Sequence, residues 1–181
     1  MIEIIWNGRG GQGAFTAARI LGAAWSLKSE KSFALAFPSF GPERRGAPVR
    51  AFTKLDSRPI NNRSEIKKCD FLIYLDDTLY CEEALGVLKE NGKLLLNTVK
   101  QFSDPRIIAV DADKITKDIL KAVITNTAML GVLAAVHPDI TLTEIEKAIT
   151  LTMSKRLVES NIAVVRAAYS EASNAAMEAV K

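Results

Sequence analysis

Cysteine and histidine are the scarce residues of this chain: two cysteines and one histidine among 181 residues. Cys69 and Cys81 stand twelve positions apart and match no metal-ligand spacing. A structural zinc or an iron–sulfur cluster wants about four soft ligands, so this chain by itself should hold neither. Two cysteines also exclude a disulfide scaffold. Long hydrophobic runs are missing as well. The longest stretch without a charged side chain, Ala122 to Pro138, is interrupted by Thr125, Asn126, Thr127 and His137. It is too short and too polar to span a bilayer, and no membrane association is expected. Charge of one sign is equally scarce, with 24 basic and 21 acidic residues giving a net +3. The basic residues are spread along the chain rather than interleaved with aromatics, which argues against a nucleic-acid partner. Lys114, Lys117 and Lys121 read as a solvated helix face. The opening Met1-Ile2-Glu3-Ile4-Ile5-Trp6 has no basic start and does not read as a signal peptide. A cytoplasmic location is the expectation.

What is present is ordinary globular material: 48% hydrophobic and 25% charged residues. The length suits one domain, residues 1–181, with a sizeable core. Short apolar runs at Ile2–Trp6, Phe33–Phe37, Val49–Leu55, Phe71–Leu75, Lys93–Asn97 and Ile107–Val110 read as strands. Ala14–Lys28 and Thr78–Glu90 read as helices, the latter stopped by Asn91-Gly92. Beyond Asp111 the chain reads as wholly helical, with helices over Ile115–Ala122, Asn126–Val136, Thr143–Leu151 and Leu157–Ala179. Thr141 and Glu144 have the spacing of a capping box. Strands separated by helical stretches predict a three-layer α/β/α sandwich with a helical C-terminal part. The third strand follows the second with only a loop between, so that pair should be antiparallel and the sheet mixed, mostly parallel.

Gly8-Arg9-Gly10-Gly11-Gln12-Gly13 spells G-x-G-x-x-G between a strand and a helix. Glycines let backbone approach a phosphate, and a helix N-terminus offers free N–H groups. A nicotinamide-nucleotide site would need an acid at the end of the second strand to hold the ribose. That strand ends Ala36-Phe37-Pro38-Ser39, without a carboxylate, and Arg9 is foreign to such a loop. An anion- or cofactor-binding edge and a plain packing turn both remain open. No catalytic residue is assigned.

Pro38–Pro48 carries three of the six prolines and both Arg44 and Arg45. Prolines stiffen it, glycines allow close approach, and guanidinium forks suit phosphate or carboxylate. Following the second strand, it should share the sheet edge of the glycine loop, as a ligand-facing segment or as a docking surface. Asp76-Asp77 reads as a helix cap, His137 as a helix C-terminal residue, and the two cysteines as small hydrophobes. Asn126-Thr127 opens a helix whose polar edge could face a ligand.

Arg9-Gly10-Gly11-Gln12-Gly13, Gly41-Pro42-Glu43-Arg44-Arg45-Gly46-Ala47-Pro48-Val49 and Asn126-Thr127-Ala128-Met129-Leu130-Gly131 together resemble the gamma subunit of 2-oxoacid:ferredoxin oxidoreductases. The Arg-Arg-Gly-Ala-Pro form is more similar to the pyruvate and branched-chain members than to the 2-oxoglutarate members. The resemblance implies an enzyme subunit, inactive alone. The assembled enzyme decarboxylates a 2-oxoacid on thiamine diphosphate, reduces ferredoxin through [4Fe–4S] clusters, and forms acyl-coenzyme A. Thiamine diphosphate and clusters would belong to alpha, beta and delta-type subunits. This chain would offer a coenzyme A surface built from Arg9, Gly10, Gly11, Gln12, Gly13, Arg44, Arg45, Gly46, Asn126 and Thr127. The alternatives are a purely structural docking subunit and an NAD-binding Rossmann-type protein.

Overall fold

The computed structural model describes residues 1–39 and 45–178. Its centre is one six-stranded sheet, ordered β2-β3-β1-β4-β5-β6. The strands are β1 (Ile2–Arg9), β2 (Phe33–Pro38), β3 (Pro48–Asp56), β4 (Cys69–Tyr74), β5 (Leu88–Asn97) and β6 (Ile107–Val110). β1, β4, β5 and β6 run parallel, while β3 is antiparallel to both β1 and β2. Five strands therefore point one way and β3 alone opposes them. The short β2–β3 connection, which cannot carry a crossover helix, forces that reversal. The mixed, mostly parallel α/β sheet is as the sequence predicts.

Strand side chains alternate between two buried faces, as the period of two requires. Ile4, Trp6, Phe71, Ile73 and Leu95 face one core, and Ile5, Phe52, Leu72, Leu94 and Leu96 face the other. All five α-helices, α1 (Ala14–Ser26), α2 (Ala112–Leu120), α3 (Asn126–Val136), α4 (Leu142–Thr152) and α5 (Lys155–Glu178), contribute to the first face. A buried polar link ties this layer together. The Trp6 indole N–H donates to the Thr53 hydroxyl at 3.0 Å, which donates on to the Ala18 carbonyl at 3.3 Å.

The second face is layered differently from expectation. The predicted helix Thr78–Glu90 is replaced by two 3-10 segments, Asp77–Leu79 and Glu82–Val87, running directly into β5. Tyr80 stands edge-on between Tyr74 and Phe102, at 5.9 and 5.7 Å between ring centroids, and pins the segment to the sheet. Asn91-Gly92 is not a helix stop but part of an irregularity in β5. Cys69 pairs with Leu88, and the next register places Phe71 against Lys93. A Cβ at Gly92 would lie 2.9 Å from the Cys69 carbonyl oxygen, so this close approach needs glycine. Lys54 is also buried on this face, its ammonium donating to the Asn62 and Ser64 carbonyls at 3.1 and 2.8 Å.

Candidate functional site

Parallel strands carry their ligand sites at their carboxyl ends, where the following loops gather. β1 ends here in Arg9 and passes through Gly10–Gly13 into α1. Because β3 opposes β1, its first residue, Pro48, pairs with Arg9 at this same edge. The two expected loops are therefore joined, through the backbone. Gly10 N–H donates to the Ala47 carbonyl at 2.8 Å, and Gly46 N–H donates to the Gly10 carbonyl at 3.0 Å. Gly11, Gly13 and Gly46 sit at φ 99, 80 and 84°, the left-handed region that glycine enters without strain. Phe40–Arg44 lie outside the described residues, and with them the Arg44 expectation.

Arg9 is the knot of this edge, and its donors turn inward. Nε donates to Asp76 Oδ2 at 2.9 Å, Nη2 to the Thr78 hydroxyl at 2.8 Å, and Nη1 to the Gly46 carbonyl at 3.1 Å. Gln12 closes the turn: its Oε1 accepts from Arg9 N–H at 2.7 Å and its Nε2 donates to Asp76 Oδ2 at 3.3 Å. Asp76 also accepts from the Thr78 N–H and hydroxyl. Partial burial pushes the Asp76 carboxyl up, yet hydrogen bonds from Thr78, Arg9 and Gln12 outweigh it and hold the group below its ordinary value. Asp76 does cap the 3-10 turn after β4, but sequence reasoning missed its larger role as organiser of the glycine loop. The signal was an acid at the end of a strand, interpretable only once β4 is known to neighbour β1.

Asn126 and Thr127 are placed apart from any open edge. Asn126 is buried beneath Gly13, donating to its carbonyl at 3.4 Å. A Cβ at Gly13 would come within 2.5 Å of the Asn126 amide nitrogen, which is why helix α3 can approach this loop only where glycine stands. Thr127 is fully buried, and its hydroxyl bonds to Asn161 Oδ1 of α5 at 2.8 Å. Both residues hold α3 against its neighbours.

Arg45 is exposed, and α1 opens on buried Ala14 followed by exposed Phe15 and Thr16. Gly13 caps α1 without a side-chain acceptor, and no acceptor among the described residues takes the N–H groups of Ala14, Phe15 and Thr16. This arrangement is chemically suited to bind and orient an anion. Beside it lies a cleft of about 640 Å³, reached by Gly11 and Gln12 and floored by the ends of β4 and β5. Asn97 organises that floor. Its Nδ2 donates to the Leu75 carbonyl at 3.0 Å, and its Oδ1 accepts from the first N–H groups of α2, Ala112 and Asp113, at 3.0 and 3.3 Å.

The residues present do not fit a metal cluster. Cys69 is buried, with burial foremost and the Asp70 charge next pushing its thiol up to about 12, while Cys81 is exposed. Of the two cysteines read as small hydrophobes, Cys69 alone is buried as one. No group of three or more metal-ligating side chains is found among the described residues. No helix among them is long and apolar enough to cross a membrane.

A family model described as pyruvate ferredoxin/flavodoxin oxidoreductase matches residues 3–171. Pyruvate synthase subunit PorC of Methanocaldococcus jannaschii is 43% identical over 176 residues, covering 94% of this chain and 97% of that protein. The pyruvate/ketoisovalerate oxidoreductases common subunit gamma of Pyrococcus furiosus is 42% identical over 179 residues, covering 93% and 96%. Among solved structures, the pyruvate oxidoreductase subunit PORC of Thermotoga maritima superposes with a TM-score of 0.80 at 35% identity, covering 94% of this chain and 96% of that one.

Proposed function

This chain belongs to the pyruvate ferredoxin/flavodoxin oxidoreductase family, as a gamma subunit of a pyruvate or related 2-oxoacid:ferredoxin oxidoreductase, and from that premise we propose that it supplies the enzyme's coenzyme A-facing surface. The observation that carries this reading is the joined edge of the glycine and arginine loops, where exposed Arg45 pairs with Gly10 in the turn that leads into α1, a helix whose cap residue Gly13 offers no side-chain acceptor. A pyrophosphate and a 3′-phosphate are bound by backbone N–H groups and guanidinium forks, the two donor types that find no acceptor at this edge among the described residues.

Within the proposed site the residues divide by role. Arg44 and Arg45 supply guanidinium charge for the coenzyme's phosphates and the N–H groups that open α1 supply backbone donors, while Gly10, Gly11 and Gly46 shape the turn, the N–H groups of Gly10 and Gly46 being spent on the Ala47 and Gly10 carbonyls. Arg9, Gln12, Gly13, Asn126 and Thr127 hold the loop in shape, because their polar groups are spent on protein partners. Residues 1–181 act as one gamma domain. Thiamine diphosphate and [4Fe–4S] clusters, carried by alpha, beta and delta-type subunits, supply decarboxylation and electron transfer to ferredoxin. This chain's part is to bind and orient the acyl acceptor.

The test is Arg45→Ala in the assembled enzyme, assayed by 2-oxoacid-dependent viologen reduction. The KM for coenzyme A rises about tenfold, the loss of a charge-assisted phosphate contact, while kcat at saturation and subunit composition hold. An unchanged KM with a weakened complex would instead favour the purely structural docking role. NAD binding by the chain in isothermal titration would favour the Rossmann-type alternative.

A further inference from the structure

The cleft beside the glycine loop has a character of its own. Five aspartates and two lysines line it, on a chain whose net charge is +3. Asp77 Oδ2 accepts from the Thr98 hydroxyl and pairs with the Lys100 ammonium at 3.2 Å, Asp113 gives one oxygen to Asn97, and Asp111 caps α2 through Oδ1. The other oxygen of each has no partner among the described residues, and the Asp118 carboxylate has none at all. Thr125 on the wall is only 4% exposed, and its hydroxyl is likewise unpartnered among the described residues. The rim is apolar and open: Val99, Val123 and Ile124 are 77, 51 and 49% exposed.

An acidic, hydrogen-bonding floor inside an aliphatic rim repels a phosphate and does not fit a bare metal ion, since no three ligating groups converge among the described residues. Rims of exposed aliphatics around a polar hollow are the pattern of protein recognition. We propose that this cleft is a docking surface for a partner subunit of the oxidoreductase, which inserts a Lys or Arg side chain flanked by apolar residues. The cation meets Asp113 and Asp118 and can donate to Thr125, while its apolar neighbours cover Val99, Val123 and Ile124. The inference rests on membership of a multisubunit enzyme and not on the coenzyme A reading, and its readout is association rather than KM.

The experiment uses the full chain and the purified remaining subunits. Asp118→Arg reverses a charge that makes no internal bond, and Val123→Ser with Ile124→Ser removes the apolar rim. Each lowers association about tenfold, and the Asp118→Arg defect shrinks at high salt because charge steering is screened. A photo-crosslinking residue at Val99, the most exposed rim position, then captures a partner segment with a Lys or Arg within two residues. Wild-type association by both variants overturns the proposal. So does a crosslink to a second copy of this chain, to a segment without a basic residue, or to no subunit. Unchanged far-UV circular dichroism and melting of the variants separate lost docking from lost folding.

Discussion

Arg9 spends its guanidinium fork inside the protein, on Asp76, Thr78 and the Gly46 carbonyl. A lysine has one point charge and no planar fork, so Arg9→Lys loses at least one of these bonds. Urea denaturation of that variant shows a loss of about 1–2 kcal/mol. Asp76→Asn is sensitive to pH in a defined sense. The folded carboxyl titrates below its ordinary value of 3.8. Its contribution is therefore complete above that value and lost as pH falls through the folded one. The stability gap between wild type and Asp76→Asn is full at neutral pH and closes in acid. A gap that widened in acid would contradict the network. Legibility at this scale was partial. An arginine and a glutamine in a glycine loop read as anion ligands, because the acceptors that claim Arg9 lie 67 and 69 positions away. Thr127 is obscured likewise by Asn161, 34 positions on.

Among the elements, the glycines rank the contacts. At Gly131 a Cβ would lie 2.2 Å from the Val165 carbonyl oxygen and 3.1 Å from the Tyr169 nitrogen. Both are backbone atoms of α5, so Gly131→Ala forces α3 and α5 apart at a cost of about 3 kcal/mol. Gly13→Ala combines a positive φ with a clash against the Asn126 amide, whereas Gly11→Ala meets no atom within 4 Å and carries strain alone. Chemical denaturation orders the losses Gly131 first, Gly13 next and Gly11 last, the last at about 1 kcal/mol. A cost at Gly11 equal to that at Gly131 would refute this packing. Helix α3 was legible to the residue, because a continuous apolar run between Asn126 and His137-Pro138 has two clear ends. The segment after β4 was not. Glu82, Glu83, Ala84 and Leu85 are good helix formers, but aromatic packing on Tyr74 and Phe102 and the pairing of Leu88 with Cys69 override propensity. The capping box at Thr141 is likewise unformed: Thr141 makes no side-chain cap bond and Glu144 Oε2 is left unpaired.

For the whole molecule, the shortage of cysteine and histidine is the functional statement. One buried thiol and one exposed thiol give a redox enzyme's subunit no means to ligate a cluster. The purified chain is expected to be colourless and free of iron; visible absorption that follows an iron assay would contradict the account. What the chain offers instead is one sheet edge where loops from opposed strands meet, an arrangement the short β2–β3 connection already foretold. In the function proposed above, this edge reads the coenzyme's phosphates. The most direct measurement is the ratio of KM values for dephospho-coenzyme A and coenzyme A in the assembled enzyme, for wild type and for the Arg44→Ala/Arg45→Ala pair. The account predicts that wild type prefers coenzyme A by about tenfold and that the ratio falls toward one in the double variant; an undiminished ratio would contradict it.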